Sequence, residues 1–101
     1  MKTPRDPARR KRAEKALYRA LLALKTETEC ARFFADLCTP AEIEALIDRW
    51  SVVPLLGNRL PYRRIHELTG VSVTTIGRVA RCLSGGSGGY RTVLERTGES
   101  S

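Results

Sequence analysis

The amino-acid sequence predicts an all-α protein of about six short helices, and three observations predict it. Apolar residues recur at three- and four-residue steps along most of the chain, hydroxyl and proline residues stand where helices begin, and no stretch alternates apolar with polar residues as a half-buried strand does. Length and charge narrow the class. The 101 residues carry 18 Lys+Arg against 11 Asp+Glu, a net charge of +7 and a pI near 9.9. A chain of this size has little room for a deep substrate cleft, and its charge points to an anionic partner.

From about Arg9, the residues Ala13, Leu17, Ala20, Leu21 and Leu24 share one helical face and define a first helix. Ahead of it, residues 1–8 carry Pro4 and Pro7 and read as a flexible basic tip. Thr26 followed by Glu29 has the spacing of a capping box, and the helix it starts is expected to bury Cys30, Phe33, Phe34 and Leu37. Thr39-Pro40-Ala41-Glu42 is the clearest start signal: a hydroxyl cap, a proline where its missing N–H costs nothing, and a glutamate in the first turn. The expected core face of this third helix is Ile43, Leu46, Ile47, Trp50 and Val53, with Pro54 kinking or ending it before a break at Gly57 and Asn58.

A fourth helix spans Tyr62 to Thr69, and Ser72 caps a fifth from Val73 to about Leu83. The run Ser84-Gly85-Gly86-Ser87-Gly88-Gly89 reads as a flexible, non-helical joint, since each glycine in a helix costs ~1 kcal/mol. A last short helix covers Tyr90 to Arg96, and residues 97–101 form a frayed tail. The folded domain is therefore expected over 9–96.

Several function classes are excluded on the same reading. No apolar run approaches the roughly 20 residues that span a bilayer, and the basic N-terminus lacks the apolar core of a signal peptide, so the chain reads as cytoplasmic and without a membrane partner. Cys30, Cys38 and Cys82 form no Cys-x-x-Cys pair, and His66 is the single histidine, so no metal site is expected and the cysteines read as small buried hydrophobes. No nucleophile has a base nearby, and Gly85 to Gly89 follows a helix, which is the wrong context for a phosphate loop. The protein is not expected to be an enzyme.

Charge is distributed in blocks. Residues 1–24 carry a net +6, residues 25–58 a net −3, and residues 59–83 a net +4. The second basic block coincides with a helix-turn-helix pattern over 62–83. Gly70 supplies the positive φ of a tight turn, Ser72 caps the second helix, and Ile65, Val71, Ile76 and Val79 fall where the two helices bury their contact. Val73, Thr74, Thr75, Gly77, Arg78 and Arg81 are left on or near the outer surface of the second helix. Small and hydroxyl residues there let a helix enter the major groove of double-stranded DNA, while Arg59, Arg63, Arg64, Arg78 and Arg81 pair with phosphates or guanine. The alternative is a basic helical adaptor that grips RNA or an acidic protein without reading DNA sequence.

From Leu37 to Leu83 the sequence resembles the tryptophan-repressor superfamily, and over most of its length the YerC/YecD branch of it. The matching residues are Leu37 to Leu46, Tyr62-Arg63-Arg64-Ile65, Gly70, Thr75 to Leu83, and the glycine-rich segment ending at Tyr90. The resemblance implies a six-helix chain paired in an intertwined homodimer, with two reading heads about one DNA turn apart, acting as a transcriptional regulator and repressor. The implied DNA contacts are Tyr62, Arg63, His66, Val73, Thr74, Thr75 and Gly77, where Gly77 replaces a hydroxyl residue. His66 stands where many such motifs have a small residue. The positions of a small-molecule corepressor are matched by Thr39, Arg49 and Arg78. Val79, however, stands where the repressor has a glycine, and its branched side chain intrudes on the space of an indole ring, which argues against tryptophan itself.

Overall fold

Six helices follow one another in the computed structural model, which describes residues 6–98: α1 (Pro7–Leu22), α2 (Glu27–Leu37), α3 (Pro40–Gly57), α4 (Tyr62–Thr69), α5 (Val73–Gly85) and α6 (Gly89–Thr97). Among the described residues there is no strand, and no helix is long and apolar enough to cross a membrane. The chain divides into two compact units, 1–39 with α1 and α2, and 40–101 with α3 to α6.

In the N-terminal unit, α1 begins at Pro7, ahead of the expected Arg9, because Asp6 accepts a hydrogen bond from the Ala8 N–H at 3.2 Å and proline suits the first helical position. The rest of the expected basic tip, residues 1–5, lies outside the described residues, as do residues 99–101 of the expected tail. The capping box at Thr26 forms: the Glu29 N–H donates to Thr26 Oγ1 at 3.1 Å, while Glu29 Oε1 accepts from Lys25 N–H at 2.8 Å, one residue before the cap. Burial is shallower than the apolar periodicity implies. Phe33 and Phe34 meet edge to face with centroids 6.0 Å apart, but neither helix has a buried residue, and Leu22 and Leu37 are 84% and 51% exposed.

The C-terminal unit holds the core. Val52, Val53, Ile65 and Ile76 are fully buried, Val71, Val79 and Leu94 nearly so, and Trp50, Leu55, Leu56, Leu60, Leu83 and Tyr90 pack around them. Trp50 and Tyr90, with centroids 6.3 Å apart, join α3 to α6. Two expectations for α3 are corrected here. Pro54 neither ends the helix nor separates it from Gly57: the helix runs through it, and the Asn58 N–H still donates to the Pro54 carbonyl at 3.0 Å. Burial of Val52 and Val53 on the preceding turn offsets the ladder bond that proline removes. The core face is also displaced toward the C-terminal half, since Leu46 and Ile47 are 44% and 61% exposed.

The chain leaves α3 through Arg59 at φ 63, with the Leu60 N–H reaching back to the Leu55 carbonyl at 3.2 Å, which closes the helix end. The glycine-rich segment is partly helical: Ser84 and Gly85 complete α5, and Gly89 begins α6. The non-helical part shrinks to Gly86, Ser87 and Gly88. At Gly86 the N–H donates to the Cys82 carbonyl at 2.8 Å, and a Cβ added there would collide with that same carbonyl. Cys82 itself is exposed, and Cys30 and Cys38 are half-buried, so the cysteines are not the buried hydrophobes expected. On α5 the inner face is taken by Ile76 and Val79, which turns Cys82 outward.

Candidate nucleic-acid interface

The turn between α4 and α5 is built from side-chain bonds as well as from glycine. Gly70 adopts φ 73, the left-handed conformation that only glycine takes without a steric cost, and its N–H donates to the His66 carbonyl at 2.8 Å. Val71 then tucks into the core at 5% exposure, and burial obliges its backbone groups to find partners. Both partners are α4 side chains. Thr69 Oγ1 accepts from the Val71 N–H at 3.1 Å and donates to the Ile65 carbonyl at 2.7 Å, while His66 Nδ1 lies 2.7 Å from the Val71 carbonyl oxygen. A carbonyl oxygen only accepts, so Nδ1 carries the proton.

α5 starts immediately after this turn. Ser72 Oγ accepts from the Thr75 N–H at 3.1 Å and donates to Thr75 Oγ1 at 3.0 Å. The cap therefore occupies the Thr75 oxygen as an acceptor and leaves its hydroxyl proton to donate elsewhere. Val73, Thr74, Arg78 and Arg81 are exposed, whereas Thr75 and Gly77 are half-buried. Ile65, Val71, Ile76 and Val79 take the inner positions expected of them. A Cβ built on Gly77 would sit 3.5 Å from Arg81 Nη1 and 3.9 Å from Tyr62 Cε2, so Tyr62 of α4 and Arg81 of α5 flank the glycine on one surface.

Tyr62, Arg63, Arg64 and His66 are all exposed on α4. Among them Arg64 is set apart by an ion pair with Glu67 at 3.5 Å, both side chains more than half exposed. Such a solvated pair contributes little stability, yet it places a carboxylate beside the guanidinium. Of the candidate corepressor residues, Thr39 belongs to the N-terminal unit, and Arg49, half-buried on α3, and Arg78, exposed on α5, belong to the C-terminal one. Val79, at 1% exposure, fills its own place in the core. A groove in the C-terminal unit lies elsewhere, lined by Leu56, Leu83 and Leu94 with Arg59, Arg91 and Glu95, and includes neither Arg49 nor Arg78.

The amino-acid pattern marks Thr69 only as the end of the fourth helix, and it assigns neither Thr69 nor His66 a part in holding the turn. Side chains that bond a turn two or five residues away leave no periodic trace. The one available signal was chemical: a threonine directly before the turn glycine is a residue type that bonds local backbone.

Comparison with known proteins agrees with this architecture. Residues 13–98 match the family model described as Trp repressor protein. The chain is 43% identical over 83 residues to the uncharacterized protein YerC of Bacillus subtilis (strain 168), spanning 82% of this chain and 80% of that one. Among solved structures, a TrpR-like protein from Eubacterium eligens ATCC 27750 superposes with a TM-score of 0.84 at 41% identity, covering 89% of this chain and 93% of that chain. A putative Trp repressor from Staphylococcus aureus superposes with a TM-score of 0.83 at 36% identity, covering 88% and 89% respectively. On sequence and fold together, the chain belongs to the Trp repressor family.

Proposed function

We propose that this protein is a homodimeric, sequence-specific DNA-binding regulator of transcription, acting as a repressor in the cytoplasm, with α5 as the helix that enters the major groove. The observation that carries this reading is the locked turn ahead of α5, which presents Val73, Thr74 and Thr75 at the start of a helix otherwise anchored by fully buried Ile76. Thr75, with its oxygen held by Ser72, offers a directed O–H to an acceptor on a base edge, and the Val73 and Thr74 methyls suit a thymine methyl. Arg63, Arg78 and Arg81 supply phosphate contacts around that helix, and Arg64 contributes less because Glu67 already neutralises part of its charge.

Surface chemistry supports the second copy. Leu17, Leu22, Leu37, Leu46 and Ile47 are between 37% and 84% exposed in the single chain, apolar side chains that a second copy would cover. Two copies present two reading helices, and the expected target is a near-palindromic site.

Titration of duplex affinity against salt tests the charge assignments. For the full chain we expect a steep decline of log K with log salt. Arg63→Ala should flatten that slope by about one unit per subunit and weaken all duplexes alike. Arg64→Ala should flatten it by less. Structured RNA displacing duplex DNA at equal salt would favour an RNA-binding module instead.

A further inference from the structure

Both backbone groups of Val71, the residue that carries the chain from α4 into α5, are held by α4 side chains: the N–H by Thr69 Oγ1 at 3.1 Å and the carbonyl by His66 Nδ1 at 2.7 Å. We propose that His66 is a positioning residue for the reading helix rather than a phosphate contact. The inference rests on the DNA-reading function proposed above and reassigns one of its residues. A neutral imidazole has one N–H, and here the Val71 carbonyl takes it, so Nε2 is left as an acceptor. Phosphate oxygens are acceptors as well. The neutral ring therefore offers the DNA backbone no hydrogen bond, although His66 is exposed on α4 beside Arg63 and Arg64.

What the ring does instead is fix an angle. Val71 is followed directly by Ser72, whose hydroxyl caps α5 and holds Thr75. Anchoring the Val71 carbonyl therefore sets the first turn of α5, and with it the direction of the Thr75 hydroxyl, relative to α4. Base readout depends on this direction because a hydrogen bond weakens steeply off axis, whereas the phosphate contribution depends mainly on charge. Loss of the clamp should thus impair discrimination between sequences more than general affinity.

The test has two parts, both on the full chain. Nitrogen-15 shifts of the imidazole, recorded at a pH of about 8 where an ordinary imidazole is neutral, should report the proton on Nδ1. A proton on Nε2 would overturn the clamp without any DNA measurement. Next, duplex affinity is measured against salt, for a selected and a random duplex, with wild type, His66→Ala, His66→Phe and His66→Asn. His66→Phe keeps the ring and removes the donor, and His66→Asn replaces it with an amide N–H at the reach of Nδ1. The alanine and phenylalanine variants should lose about fivefold in discrimination per subunit, the equilibrium equivalent of one neutral hydrogen bond, with the salt slope unchanged, and asparagine should restore most of it. A slope flattened by about one unit per subunit with discrimination intact would make His66 a phosphate contact and overturn the proposal. A wild-type chain with no preference between duplexes would instead overturn the function on which the positioning role rests, while the proton's place on the ring still reports the clamp. Should His66→Ala fail to fold, the imidazole shifts and the His66→Asn comparison decide the matter.

Discussion

Ile76→Ala lowers the stability of the C-terminal unit by about 2–5 kcal/mol, the range for truncating a fully buried isoleucine in a core that relaxes only partly. Ile76 has no exposed surface, and it shares its cluster with Val52, Val53, Ile65 and Val79 from three different helices. Removing three carbons there weakens the anchorage of α5 in the core, leaving Val79 as its other fully packed side chain. For a unit of this size the expected shift of the thermal midpoint is about 10 °C or more, read by circular dichroism. Since total stabilities of small domains are about 5–15 kcal/mol, DNA binding at physiological temperature should fall with the folded fraction, and lowering the temperature should recover part of it. A shift of only a degree or two would mean that α5 is not packed as described.

Ile47→Asp is expected to separate the proposed dimer into monomers. Ile47 is 61% exposed in the single chain although the next turn of its helix carries the fully buried Val52 and Val53, and Leu46 beside it is 44% exposed. If a second copy covers this surface, a two-fold axis places the new carboxylate in the interface twice, and each unpaired buried charge costs several kcal/mol. Sedimentation should show the dissociation constant raised by at least about a hundredfold, with the helical content of the monomer little changed because the substitution is at the surface of the single chain. A variant that stays dimeric at the same concentration would place the interface elsewhere, and a monomeric wild type would overturn the proposed dimer itself.

The helix-turn-helix was legible because each of its parts is local. A glycine that needs φ above zero, a serine cap and apolar residues in helical register each declare themselves within a few positions, and Gly70, Ser72, Ile65 and Ile76 all serve as their residue types demand. The third helix was less legible for opposite reasons at its two ends. At Pro54 a strong local breaker lost to the burial of its neighbours Val52 and Val53, a term that depends on helices distant in sequence. At Leu46 and Ile47 the apolar pattern was real, but nothing in the single chain's core covers those residues. At His66 one contact was not legible: residue type and position do not disclose that Nδ1 is committed to a carbonyl five residues ahead.

Selection of duplexes from a random pool by the full-length chain, followed by affinity measurements with Thr75→Ala beside wild type, probes sequence reading by α5 most directly. The expected result is enrichment of a near-palindromic site, bound by wild type far more tightly than random duplex, with the threonine hydroxyl accounting for about 1–3 kcal/mol of the preference. A pool that emerges without a shared sequence, or a preference untouched by Thr75→Ala, would contradict it.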